Sequence, residues 1–230
     1  MYSGTSLSLL ARAPSIIVNV LDFSLTSIKS INKKLKENHD WNVLDIGCGY
    51  TANKYASVIA DVQDFSNFYK EKKFIKIIDK KLPFKDNEFD FVIASHVIEH
   101  VENFQFFIQE IERVSKQGYI ELPSRLGDNL VFENVKEHIW WFMYDDELKM
   151  LIASKKNQIL EPFITVSTVK KLENIFREDL VLELLWEDKI NYKVDSALEM
   201  KSEFKISFFH LIKKYFSKKI RQFFAKFKTK

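Results

Sequence analysis

The sequence predicts an α/β fold built on a mostly parallel β-sheet with helices on both faces. Three observations carry that prediction. Apolar runs at Asn42–Ile46, Ser57–Val62, Phe74–Ile78 and Phe89–Ala94 are near-continuous, as in strands buried on both sides. A helical periodicity follows at Asn103–Ser115. The first three strand runs also lead to acids or glycines: Asp45 with Gly47-Cys48-Gly49, then Asp61, then Asp79. Polar groups gathered at successive strand ends mark a ligand site at the carboxyl edge of a parallel sheet.

Each element has its own signal. Between about Ser15 and Lys36, Ile16, Ile17, Val20, Leu21, Leu25, Ile28, Ile31 and Leu35 fall at helical spacing and predict a lead-in helix. Only 16 positions separate Asp45 from Asp61, so the helix after the glycine turn must be very short. In Asn103–Ser115, Phe106, Phe107, Ile111 and Val114 form the inward face, with Glu110, Glu112 and Arg113 outward. Gly118–Leu122 reads as a fifth strand, stopped by Pro123-Ser124. The aromatic block His138–Tyr144 falls within an expected cap at about 125–160. A helix is predicted over Val166–Phe176. Leu180–Trp186 and Lys189–Val194 then read as a last strand pair, an antiparallel finish to the sheet.

The gross numbers bound the rest. A chain of 230 residues suits one α/β domain with appendages. A single cysteine excludes a disulfide framework and fits a reducing, cytoplasmic compartment. Met1–Ser8 lacks a basic start, and no apolar run approaches the roughly 18–20 residues of a membrane span. The net charge of +3 is unevenly spread: residues 201–230 hold ten Lys and Arg against one acid, leaving 25 bases against 31 acids elsewhere.

Glycines at a strand tip let the backbone approach a ligand without a Cβ in the way. Asp61, at the end of the next strand, is placed to accept both hydroxyls of a ribose. The glycine turn lacks the third glycine of a dinucleotide fingerprint, since Tyr50-Thr51 follow it, which argues against a tightly cradled pyrophosphate. These residues describe a nucleoside pocket.

Four ordered blocks sharpen that reading: Leu44-Asp45-Ile46-Gly47-Cys48-Gly49, Asp79-x-x-Leu82-Pro83-Phe84, Phe89-Asp90-x-Val92 and Glu99-His100-Val101. With them the chain from Trp41 to Ser124 resembles the class I S-adenosylmethionine-dependent methyltransferases, in their broad type 11-like group. The resemblance implies a Rossmann-like, seven-stranded sheet with its last strand antiparallel, and S-adenosylmethionine as cofactor. It implies a cofactor site of Asp45, Gly47, Cys48, Gly49, Asp61, Asp79, Leu82 and Ser95. Asp45 would help to hold the methionine end, Asp79 the adenine amino group, and Leu82 would pack near the base. The expected layout is a lead-in over 1–40, the methyltransferase domain over 41–195 and a tail over 196–230.

Methyl transfer from a sulfonium is an in-line displacement in which positioning supplies much of the catalysis. A hydroxyl acceptor adds the need for a base that titrates near neutrality, which suits histidine. His96 is the first candidate, with His100 and His138 beside it. His96-x-x-Glu99-His100 also resembles the E-x-x-E-H metal site of small-RNA 2′-O-methyltransferases and ubiquinone-pathway O-methyltransferases. Histidine stands here at the first glutamate, with His138 as a fourth ligand. No metal is expected, because the Glu-His pair also occurs without one.

The tail repeats large apolar residues every three to four positions from Phe204: Phe208, Leu211, Ile212, Tyr215, Phe216, Ile220, Phe223, Phe224 and Phe227. Lysines and Arg221 fall largely between them, the pattern of a helix lying in a membrane interface. The sequence therefore predicts an O-methyltransferase acting on a small-molecule, glycan or lipid-linked acceptor. Its tail over residues 201–230 would rest on an anionic membrane surface, peripheral to the inner face, and nucleic acid is not the expected partner. The competing readings are an RNA 2′-O-methyltransferase and a non-catalytic cofactor-binding module.

Overall fold

The computed structural model describes residues 23–195 and 207–228. Strand β1 (Ser24–Leu25) is followed by α1 (Ile28–Glu37), β2 (Val43–Ile46), β3 (Val58–Asp61), β4 (Lys73–Lys76) and β5 (Phe91–Ser95). A 3₁₀ turn at Ile98–His100 leads to α2 (Phe104–Val114) and β6 (Gln117–Pro123). Then come α3 (Arg125–Leu130), α4 (Asn134–Glu137), β7 (Trp140–Asp145) and β8 (Met150–Lys155). The chain continues as α5 (Val166–Leu180), β9 (Val181–Glu187), β10 (Tyr192–Val194) and α6 (Phe208–Lys228).

Seven strands form one sheet in the order β1-β9-β6-β5-β2-β3-β4. Strands β2 to β6 run parallel, and β9 lies antiparallel against β6. The expected seven-stranded, mostly parallel sheet is therefore present. On one face Leu44, Ile46, Val92, Ile120 and Leu184 pack with Phe104, Ile108 and Ile111 of α2. On the other, Val43, Ile59, Phe91, Ile93 and Tyr119 pack with Ile31 and Leu35 of α1. Successive strand residues supply opposite faces, which is why these runs are apolar throughout. Each fully buried aliphatic or aromatic side chain contributes about 1.5–3 kcal/mol.

Several elements differ from the sequence reading. The predicted lead-in helix begins only at Ile28, where the Ser27 hydroxyl caps it by accepting the Ser30 N–H. Ser24 and Leu25 are extended and pair with Leu185 and Leu184 of β9, while residues 15–22 lie outside the described residues. Because β1 occupies that edge, Lys189–Val194 does not complete the large sheet. After a turn at Asp188 (φ +58°) the chain leaves it, and β10 pairs parallel with β8 in a second sheet ordered β10-β8-β7. Residues 47–57 form turns and no helix. The aromatic block becomes β7, with Trp140, Trp141 and Phe142 buried. Glu110 faces inward, not outward: its carboxylate accepts the Leu82 N–H at 2.7 Å and pairs with Arg113, also at 2.7 Å.

Candidate functional site

The strand order reverses between β2 and β5, so the chain leaves their carboxyl ends in opposite directions and opens a crevice there. Two cavities occupy it. The larger, about 530 Å³, is lined by Asp45, Cys48, Gly49, Ser95, His96, His100 and His138 among others. The smaller, about 220 Å³ and mostly apolar, is lined by Asp61, Asp79, Leu82, Val97 and Phe106 among others. Gly47 borders both. All the site residues that the sequence singled out thus lie on the walls of these two cavities.

The glycine turn is fixed from both sides. Gly47 has φ +68°, and a Cβ on it would stand 2.4 Å from Val97 Cγ2. No side chain fits that approach. Gly49 has φ +48° and donates its N–H to Asp61 Oδ2 at 3.0 Å, while Gln63 N–H reaches Asp61 Oδ1 at 2.9 Å. Asp61 braces the turn and keeps lone pairs for further donors. Asp45 is buried beneath the turn and accepts the Asn53 N–H at 2.6 Å. Burial pushes its carboxyl up to about 7, against the opposing effects of that hydrogen bond and Lys72. Burial, with Asp45 and Asp61 nearby, pushes the Cys48 thiol up to about 12, so it stays protonated and acts as a small apolar residue. Asp79 lies exposed at the rim of the smaller cavity and Leu82 is buried in its wall.

His96 occupies an unusual position. Its φ is +54°, and its backbone N–H is held by the Glu121 carbonyl at 2.8 Å. Nδ1 lies 3.2 Å from Glu99 Oε1 and Nε2 lies 3.2 Å from Glu121 Oε1. Burial opposes charge on the ring, but hydrogen bonds to Glu121 and Glu99 outweigh it and raise the pKa to about 10. The ring is therefore an imidazolium at neutral pH, with neither nitrogen free to accept a proton, and this geometry does not suit the base role the sequence suggested. Glu121 is held down to about 2: burial opposes this, but the His96 ring and the Tyr119 and Arg177 groups around it prevail. Ser95 donates its hydroxyl to the same carboxylate at 3.1 Å.

His138 and His100 are arranged differently. His138 Nδ1 contacts Asp128 Oδ1 at 2.5 Å, at ion-pair distance but without hydrogen-bond alignment. Asp128 is fully buried, and its Oδ2 accepts from Trp141 Nε1 at 2.6 Å and Lys156 Nζ at 2.8 Å. Burial opposes its ionisation, but His138 and Lys156 hold its pKa below the usual carboxylate range. With Nδ1 against Asp128, Nε2 is the ring nitrogen on the other side of His138. His100 Nδ1 sits 3.1 Å from the Glu137 carbonyl, and the two imidazole rings meet edge to face at 4.5 Å.

Glu99, His100 and His138 each offer one ligand atom, all within 4.8 Å of one another, a donor set that suits a divalent ion. His96 is not part of this trio, because both its nitrogens face carboxylates. The helical face expected for His96, Glu99 and His100 is also absent: only a 3₁₀ turn over Ile98–His100 forms there. Glu121, Asp128, Asn53 and Arg177 escaped the sequence reading. A glutamate within the apolar run of β6 was the one available signal, since an acid buried in a central strand needs a cationic partner.

Residues 44–120 match the model of a family described as a methyltransferase domain. That span covers the glycine turn, the three candidate acids Asp45, Asp61 and Asp79, and the Glu99-His100 pair. The cofactor that accompanies this domain is S-adenosylmethionine, and the residues present fit it: a side-chain-free turn, a carboxylate for a diol and an apolar cavity wide enough for a base. Two curated relatives, both uncharacterised proteins of Methanocaldococcus jannaschii, are 32% identical over 140 and 117 residues. The matches cover 53% and 47% of this chain and 59% and 54% of the relatives, so the chain spans less than two thirds of either. Among solved structures, the PH0226 protein of Pyrococcus horikoshii is 16% identical with a TM-score of 0.42, covering 70% of this chain and 89% of that one. A SAM-dependent methyltransferase of Aquifex aeolicus is 14% identical with a TM-score of 0.38, covering 69% and 87%.

Proposed function

We propose that this protein methylates an oxygen of a small-molecule, glycan or lipid-linked acceptor, using S-adenosylmethionine. When bound, the cofactor supplies an electrophilic methyl group on a sulfonium. The chain's own residues supply the rest. Asp61 and the smaller cavity hold the nucleoside, and the glycine turn directs the other end toward the larger cavity. His138 takes the proton from the acceptor hydroxyl on Nε2 as the oxygen–carbon bond forms and the sulfur–carbon bond breaks. Asp128 orients the ring and offsets the charge that it gains.

The observation that carries this reading is His138, which lines the same cavity as Gly47 and is backed by the buried Asp128. Glu133, Glu137 and Glu173 line the same cavity, a poor setting for a phosphodiester backbone, which counts against the RNA reading. The test is labelled-methyl transfer from S-adenosylmethionine into a cell extract, fractionated into small molecules, lipids, protein and RNA. Label in a small-molecule or lipid fraction that disappears with His138→Ala, while cofactor affinity holds, supports the reading. Label in RNA would overturn it.

A second reading has its own observation: Glu99 Oε2 is buried without a hydrogen-bond partner beside His100 and His138. A divalent ion there would hold the acceptor oxygen and lower its pKa, replacing the base. Activity lost to a chelator and restored by Mn²⁺ or Zn²⁺ favours that reading, and chelator-resistant activity favours the base.

A further inference from the structure

Helix α6 is long and exposed, and its two faces differ in chemistry. At roughly 1.5 Å per residue its 21 residues extend about 32 Å. Phe209, Ile212, Phe216 and Ile220 recur at helical spacing along one side, with Phe209 76% and Phe216 57% exposed. His210, Lys214, Ser217, Lys218 and Arg221 occupy the opposite side. Between Phe208 and Lys228 there are seven Lys and Arg and not one acid. At its root the helix touches the body: Phe208 stacks on Phe163 at 6.0 Å and donates its N–H to Glu161 at 2.8 Å.

We propose that α6 is a docking surface for an anionic lipid bilayer, its phenylalanine side entering the interface and its lysines facing the headgroups. Charge selects this occupant. A second copy of the helix would set seven positive charges against seven more. A nucleic acid satisfies the lysines but leaves the phenylalanines in water. An anionic leaflet satisfies both sides at once. Outside α6 the chain carries 28 bases against 32 acids, a net negative charge that such a surface repels, so the positive charge of α6 is what favours the approach.

The root of the helix gives the docking a direction. Phe163 and Ile164 donate N–H groups to the Leu130 carbonyl, and Ile164 pairs with Val131, which lines the larger cavity. A docked α6 therefore sets the cavity rim at the bilayer surface.

The experiment is sedimentation of the full chain with vesicles of phosphatidylcholine, with and without one third phosphatidylglycerol. Binding is expected only with the anionic lipid and should weaken as salt rises. Phe209→Ser with Phe216→Ser should lower the partition at least about tenfold with every lysine kept. Lys214→Glu with Lys218→Glu should lower it by more, since each base contributes on the order of fivefold. Circular dichroism and the melting temperature report whether the variants stay folded, and S-adenosylmethionine affinity, read separately, should not move. Equal binding to both vesicles, or none, overturns the proposal. So does a phenylalanine variant that binds like the wild type, or a melting temperature that falls sharply with it, which would place those rings against the body.

Discussion

The Nε2 of His96 lies 3.2 Å from Glu121 Oε1, joining the ends of two adjacent parallel strands by an ion pair at the floor of the larger cavity. With Glu99 on its other nitrogen, the imidazole is a fixed positive charge. Its folded pKa of about 10 lies above the ordinary histidine value, so its contribution to stability is full below pH 6.5 and is lost as pH rises toward 10. Two-dimensional NMR of the ring should therefore show no titration between pH 6 and 8. His96→Gln should lower the melting temperature most near pH 6 and least near pH 10, because Glu99 loses its cation while Glu121 keeps Arg177 at 2.6 Å. A ring that titrates near pH 6.5 would restore His96 as a base.

Asp45 makes the opposite pH prediction. Its carboxyl is raised to about 7 by burial, so the folded state holds a proton that the unfolded state releases near pH 4. Stability contributed at low pH is lost as pH rises through that window. Asp45→Asn keeps an acceptor for the Asn53 N–H and removes the penalty. Its melting temperature should exceed that of the wild type at pH 8 by roughly 4–8 °C, for on the order of 2 kcal/mol, with little difference at pH 4. An equal shift at both values would place the effect in packing instead of ionisation.

Asp61 should control cofactor affinity. Loss of two charge-assisted hydrogen bonds to a diol costs about 2–4 kcal/mol, or roughly 30- to 1000-fold. The carboxylate also braces Gly49, so Asp61→Ala should additionally loosen the turn, visible as faster amide exchange at Gly49. Calorimetry with S-adenosylhomocysteine measures the affinity, and values within threefold of the wild type would refute the ribose assignment.

What could be read in the sequence follows from range. The strand runs, their carboxylate ends and the Asn103–Ser115 helix are local patterns, set by residues a few positions apart. The fate of Lys189–Val194 was not local: it depended on β1 having taken the edge of β9 from the far end of the chain. His96 was chosen as a base from its residue type, but its charge is set by Glu121, a residue on another strand. The His138–Asp128 contact likewise joins the end of α4 to α3 through folding, with no motif linking the two.

Gly47 offers a test in which sterics and backbone strain can be separated. Gly47→Ala would place a Cβ 2.4 Å from Val97 Cγ2, at a residue whose φ is +68°. Two costs follow: a clash that Val97 must yield to, and about 1–2 kcal/mol for a left-handed alanine. Val97 lines the smaller cavity, so its displacement should also reach the nucleoside. Adding Val97→Ala removes the methyl group that is struck but leaves φ unchanged. The double variant should therefore regain most of the cofactor affinity lost by Gly47→Ala while remaining less stable than Val97→Ala alone. Full recovery of stability would show that the turn tolerates a side chain there and that only the valine excludes one. No recovery of affinity would mean that the turn itself, and not its contact with Val97, shapes the pocket.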